Sequence, residues 1–311
     1  TLALCIPAYN AARYLPILLK SAQTQRIEFD EILVYDDGST DTTKEVAEQF
    51  GATVVQGKVN LGCSKGKNLL AKIAKSDWLH FHDADDDILP NFTEVAHKQI
   101  TRSDAADIIL LHYQWINFNS KSLLGEPDYK TFEMKADPIK FNITNKVVNF
   151  ALIKKTPFLE IGGFDTDSEV LYNEDRAFYT RAALAGLKFD YEPALTCINY
   201  YYPGSMSDSS KGKCAKASLA VWQKVLAAVK GQYSEEIALQ ILNNATFAAT
   251  VNEWKTVRKS LVIAKELSSL TKPQGSDLFL KLFKLNAFGA FYVRELALRY
   301  FSRRRRKPNE K

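Results

Sequence analysis

The sequence predicts an α/β fold: a mostly parallel central sheet with helices on both faces, extended by helices at its C-terminal end. Three observations carry this expectation. Apolar runs of strand length alternate with helix-period segments through the first hundred residues. The connections between them are short, which calls for right-handed crossovers and a sheet covered on both sides. Beyond "YYPGSMSDSSKGK" (201–213), helix-period patterning takes over. With 311 residues, 46% hydrophobic and 25% charged, the chain can bury one large core or two smaller ones.

The elements follow in order. "TLALCIP" reads as a buried strand ending at Pro7, and Leu15, Leu18, Leu19 and Ala22 then recur on one helix face. "EILVYDDGS" is a second strand ending in Asp-Asp-Gly, followed by a polar helix over about 41–50. "ATVVQ" is a third strand. "CSKGKNLLAKIAKS" is a helix with Leu69, Leu70 and Ile73 expected inward. "DWLHFHD" is a fourth strand, and "DIILLHYQWINF" a later one within an irregular stretch rich in Gly, Pro and aromatic residues. In the helical region Trp222, Val225, Leu226 and Val229 share a face, as do Ala238, Ile241, Leu242 and Ala245. A boundary is expected near residue 208, dividing a unit 1–207 (halves about 1–112 and 113–207) from a helical region 208–311.

Composition excludes several classes. The formal charge of +5 resides in "RRRRKPNEK" (303–311), where six positive and one negative charge leave the remaining chain neutral (6 − 1 = +5). A nucleic-acid reader spreads basic residues over a face, so no nucleic-acid partner is expected. Cys5, Cys63, Cys197 and Cys214 form no CxxC pair, which argues against a zinc site or disulfide framework and fits a reducing, cytoplasmic setting. No run reaches about 18 uncharged apolar residues. "TLALCIPAYN" has no basic n-region, so no signal peptide is expected.

Polar clusters stand at three strand ends, Pro7–Asn10, Asp36–Asp41 and Asp83–Asp87. In parallel sheets ligands bind at those ends, so one crevice is expected to collect all three. The densest cluster, "LHFHDADDDILP" (79–90), sets Asp83, Asp85, Asp86 and Asp87 in five positions. A solvated loop is one reading. An EF-hand loop fails, because Ile88 stands where the sharp turn needs Gly and Pro90 intrudes. The remaining reading is a D-x-D site, Asp83-Ala84-Asp85, in which one or two carboxylates hold a hydrated divalent cation against phosphates.

The order "PAYN", "YDDGSTD", "NLGCSKGKN", "DADDDILP", "IGGFD", "NEDRAFYTRA" resembles the family 2 glycosyltransferases of the GT-A fold over about residues 1–207. The resemblance implies a metal-dependent (Mn²⁺ or Mg²⁺), inverting transfer of a sugar from a nucleotide-sugar, UDP- or dTDP-linked, to a saccharide or lipid-linked acceptor. A GT-A domain that binds nucleotide-sugar or a protein partner without transfer is the alternative. Pro7 and Tyr9 match the segment that receives the nucleobase, although Tyr9 can equally cap the core. Asp37 matches an acid that accepts the base imide, while turn and N-cap bonds explain the same run locally. Lys67 stands where the family has Arg, either near the diphosphate or on a helix surface, as for Lys65. Asp85 matches the metal ligand and Asp83 its partner on metal or ribose. Asp86 is expected to support the loop and Asp87 to face solvent. His82 either tunes the site or is satisfied in the core. Gly163, in "IGGFD", permits close approach to the sugar. Glu174-Asp175 matches the acid pair whose Asp is the general base, with Arg176 and Arg181 available to hold the pair or the phosphates. "YYYPGSMS" (200–207) lacks the His or Arg of the family's closing segment.

Residues 276–302 are rich in Leu, Phe and Tyr interrupted by basic residues, and the basic tail follows. A segment of this kind, 276–307, can lie on an anionic membrane, making the protein peripheral on a cytoplasmic face. A core helix with a polar tail is the other reading.

Overall fold

The computed structural model describes residues 1–305 and falls into two compact units. The first takes Thr1–Ser168 and Glu174–Ser205; the second takes Glu169–Asn173 and the chain from Met206 onward.

The first unit opens with β1 (Leu2–Ala8), α1 (Leu15–Gln23), β2 (Glu31–Asp36), α2 (Thr43–Gln49), β3 (Thr53–Gln56), α3 (Cys63–Ile73) and β4 (Trp78–Phe81). It continues through β5 (Asp87–Ile88), α4 (Phe92–Ile100), β6 (Ile108–Asn117), β7 (Leu123–Gly125), α5 (Thr131–Ala136) and α6 (Pro138–Thr144). β8 (Ala151–Lys154), α7 (Lys155–Glu160), α8 (Glu174–Leu184) and β9 (Phe189–Tyr201) complete it. The sheet order is β3-β2-β1-β4-β8-β6-β9-β5, with β7 beside β6. The first four strands are parallel, as expected. Beyond β4 the sheet is mixed, because β8 runs against both β4 and β6 before β9 returns parallel to β6.

Strand residues alternate between two apolar layers. Leu2, Leu4 and Ile6 meet Leu15, Leu18 and Leu19 of α1 in one layer, while Ala3 and Cys5 join Leu70, Ala71 and Phe178 in the other. Burial on both faces is why β1 reads as a continuous apolar run. Helix α3 buries Leu70 as expected and packs Leu69 partly against the same layer, but Ile73 is exposed while Ser64, Gly66, Lys67 and Ala71 are buried. Gly66 explains this, since a Cβ there would come within 2.7 Å of the Tyr35 ring. The glycine lets α3 lie close on β2 and turns Lys67 inward with it.

The second unit is helical: α9 (Met206–Ser209), α10 (Lys211–Val229), α11 (Ser234–Thr250), α12 (Trp254–Leu267), α13 (Asp277–Leu285) and α14 (Ala287–Arg305). Small residues (Ala215, Ala245, Ala248, Ala249) allow close packing around Val257, Phe279 and Phe291. Among the described residues no helix is long and apolar enough to cross a membrane.

Candidate active site

The carboxyl ends of β1, β2 and β4 bring the polar clusters together through backbone bonds. Asp37 N–H donates to the Ala8 carbonyl at 2.8 Å, tying the end of β2 to β1. The Asp37 carboxylate accepts from Leu61 N–H through Oδ1 and from Gly62 N–H through Oδ2, both at 2.8 Å. Asp37 therefore shapes the loop that starts α3, and each oxygen has a further lone pair. Asp36 accepts from Ser39 N–H and Asp41 from Thr43 N–H, which are turn roles, and Asp41 also accepts from Ala12 N–H, tying its loop to the one after β1. Pro7 ends the apolar run of β1, and Tyr9 just beyond it is 48% exposed.

Lys67 is not a surface residue of its helix, because it is 1% exposed. Its Nζ stands 3.6 Å from Asp83 Oδ1, 3.6 Å from Asp175 Oδ1, and 5.0 Å from the centre of the Phe164 ring. Burial opposes the charge, yet the two aspartates outweigh it and hold the ammonium pKa well above the ordinary lysine value.

The acid loop divides by role. Burial, then the neighbouring Asp83 charge, pushes the Asp85 carboxyl up to about 6. Asp86 does support the loop, accepting from Asn199 Nδ2 and Tyr200 N–H at 2.8 Å each. Asp87, expected to face solvent, is instead half-buried in β5, where it pairs with Ile198 and accepts from its own neighbour Ile88 N–H at 2.8 Å. Its single-residue register in the β5–β9 pairing, not its charge, decides its side. His82 lies in the core: His80 Nδ1 faces the Ala151 carbonyl and His80 Nε2 faces His82 Nδ1, each at 2.9 Å. His80, His82 and Cys197 also place three metal-competent atoms within 4.8 Å. Those groups are fully buried beside Phe92 and Phe150, and the two imidazoles already engage each other.

The acid pair Glu174-Asp175 opens α8. Glu174 Oε1 accepts from the Cys63 thiol at 3.0 Å and Glu174 Oε2 is buried with no hydrogen-bond donor, while Asp175 Oδ1 is buried facing the Lys67 ammonium at 3.6 Å. Burial raises the Asp175 carboxyl and Lys67 pulls it down; with Glu174 and Asp83 adding, it stands at about 7. Gly163 adopts φ +66°, and a side chain there would press into the Asn68 carboxamide. Asn68 holds this loop, accepting from Phe164 N–H at 2.7 Å and donating to Phe164 O at 2.8 Å. Arg181 donates to the Gly163 carbonyl, and Arg176 reaches the Ile143 carbonyl at 3.5 Å. Tyr200 and Tyr202 pack with Phe118 (5.3 and 4.5 Å between ring centres), and Tyr202 also meets Tyr14.

Three contributors escaped the sequence reading. Cys63 and Asn68 act through partners about a hundred residues away, which no local pattern reveals. Lys146 is the third: its ammonium sits 5.9 Å from the Trp115 ring centre, and burial followed by the Arg176 charge lowers its pKa, with Asp175 opposing.

The family model described as "Glycosyl transferase family 2" matches residues 3–162, just over half of the chain. An uncharacterized glycosyltransferase of Rickettsia typhi is 28% identical over 195 residues, covering 61% of this chain and 61% of its own length. Glycosyltransferase GlyG of Streptococcus pneumoniae is 26% identical over 176 residues, 51% of this chain and 58% of its own. The chain thus matches less than two-thirds of either relative. Among solved structures, S. aureus TarS 1–349 in complex with UDP-GlcNAc has a TM-score of 0.70 at 18% identity, covering 96% of this chain and 92% of that one. The mannosyltransferase PcManGT of Pyrobaculum calidifontis, in complex with GDP-Man and Mn²⁺, has a TM-score of 0.56 at 16% identity, covering 95% and 86%. These two likenesses concern the fold.

Proposed function

The chain belongs to glycosyl transferase family 2, and from that premise we propose that it moves a sugar from a nucleotide-sugar to an acceptor hydroxyl with inversion, in polysaccharide or glycolipid assembly. The observation that carries this reading is the buried Lys67 ammonium, 3.6 Å from Asp83 on one side and from Asp175 on the other. One cation thereby joins the acid loop suited to a donor diphosphate to the acid pair suited to an acceptor. UDP-GlcNAc and GDP-Man occupy two proteins of like fold, which supports a nucleotide-sugar donor, with a uridine-linked one the first to test.

Asp83 and Asp85 fit a divalent cation, Mn²⁺ or Mg²⁺. The donor set is all oxygen, which suits a hard ion, and a carboxyl that burial and Asp83 push up to about 6 is one a cation would return to its charged form. When bound, such an ion neutralises charge on the departing diphosphate. Lys67 adds a fixed positive charge beside it. Pro7, Tyr9 and Asp37 line the end of the sheet where the base would lie, and Gly163 leaves backbone without a side chain where the sugar would lie. Asp175 is the general base: its Oδ1 is paired with the Lys67 ammonium at 3.6 Å and keeps a lone pair through which an acceptor hydroxyl can bind and give up its proton. A carboxyl at about 7 holds a proton well enough to take one near neutral pH. Glu174, fixed by the Cys63 thiol, keeps the pair's geometry.

The test compares wild type with Asp175→Asn, measuring UDP binding by calorimetry and UDP release from UDP-sugars with Mn²⁺. The reading expects binding in both proteins and release in wild type alone. Equal release from the variant would remove Asp175 as base, and binding without any release from wild type across UDP-, dTDP- and GDP-sugars would favour the binding-only alternative.

A further inference from the structure

We infer that the terminal helices α13 and α14 form a docking face for an anionic lipid surface, with exposed apolar side chains entering the interface and a basic terminus meeting the headgroups. Four large side chains on one side of α14 stand open to solvent: Tyr292, Val293, Leu296 and Tyr300, each between 47% and 53% exposed. Their spacing, i, i+1, i+4 and i+8, sets them along a single stripe of a helix. On α13, Leu278 and Leu285 are 68% and 85% exposed. Lone exposed apolar residues are ordinary, but four along one stripe of a helix mark something that covers them.

The charge of the segment selects the occupant. Between residues 276 and 307 there are nine basic residues and two acidic ones, Asp277 and Glu295, a net of seven positive charges (9 − 2 = 7). Glu295 is buried at 4% exposure, and exposed Asp277 opens α13, so positive charge dominates the surface of the segment. Lys281 and Lys284 are exposed on α13 between the open leucines. The run Arg303–Lys307 continues the sequence directly from the apolar stripe; of it, residues 306–307 lie outside the described residues. A second copy of the chain would bring the same uncompensated positive charge to the contact and would be repelled. An anionic bilayer supplies both halves of the complement, hydrocarbon for the stripe and negative headgroups for the arginines. The face packs on its other side through Phe279 and Phe291, so it stands on a folded support. This placement would hold the enzyme where an acceptor carried on a lipid resides, but it rests on the helices alone and not on the reading of the active site.

The experiment is co-sedimentation of the full chain with vesicles of phosphatidylcholine alone and of equimolar phosphatidylglycerol and phosphatidylcholine, beside a Leu296→Glu/Tyr300→Glu variant. Both positions are already exposed, so the variant is expected to fold, and unchanged UDP binding and thermal unfolding check that it has. Wild type should bind the anionic vesicles and not the neutral ones, and the variant should bind about tenfold more weakly or worse. Failure of wild type to bind either vesicle, or equal binding by the variant, would overturn the proposal. So would a dimer in light scattering that the variant abolishes without vesicle binding in wild type, since a second copy would then be the occupant.

Discussion

Lys67→Met removes the ammonium from between Asp83 and Asp175 while keeping an unbranched side chain in a fully buried position. At 3.6 Å and an effective dielectric of about 20, a unit pair is worth at most about 4.6 kcal/mol. Asp83 is 42% exposed, so solvent reduces its share to that of a surface pair, about 1 kcal/mol or less. Asp175 is 24% exposed, and leaving it charged without a partner is expected to cost about 3–5 kcal/mol. That cost depends on pH. Lys67 remains charged well into the alkaline range, so the wild-type pair is lost only when Asp175 takes up a proton. The Asp175 carboxyl stands at about 7 and rises further without Lys67, so at low pH it protonates and the variant loses little. Urea unfolding followed by tryptophan fluorescence should show a deficit of about 3–5 kcal/mol near pH 9 that shrinks to about 1 kcal/mol near pH 5. The same variant should lose transfer at neutral pH, where its base is protonated. A deficit equal at both pH values, or absent at both, would refute the coupling of Lys67 to Asp175.

Asp37→Asn turns a second donor toward the Leu61 and Gly62 amides; leaving one of them unpaired should cost about 1–3 kcal/mol in denaturant unfolding and weaken nucleotide binding. Gly163→Ala, at φ +66° and pressed on Asn68, should lower the melting temperature clearly more than Gly162→Ala, at φ +83° in open space, where only the left-handed backbone term of about 1–2 kcal/mol applies. Asp85 and Asp175, raised by burial from an ordinary 3.8 to about 6 and about 7, stabilise the fold fully at pH below about 4, and that stability is lost as pH rises through about 6 and 7. Thermal unfolding without metal should therefore show these groups' contribution declining over that window, and Mn²⁺ should raise the melting temperature more near pH 8 than near pH 5.

The strands and helices of the first hundred residues are legible because β1 is apolar on both faces and α1 repeats its leucines at helix period. Polar clusters at strand ends are legible too, since topology alone gathers them. Three things are not. The mixed half of the sheet depends on β8 inserting between β4 and β6, a long-range pairing without a local pattern. The inward turn of Lys67 on α3 is not legible either, because a lysine counts as polar until its two acids are seen beside it. Asp87 resembles its neighbours in composition and differs only in strand register. In each case the deciding partner lies far away in sequence, as with Asn68 and Phe164.

Whether Asp83 and Asp85 hold a divalent cation for a nucleoside diphosphate is tested by calorimetric titration of UDP and GDP into wild type and Asp85→Ala, each with and without Mn²⁺. Manganese should tighten binding of at least one nucleotide to wild type, and Asp85→Ala should abolish the tightening. Nucleotide binding that is indifferent to manganese in both proteins would contradict the cation site.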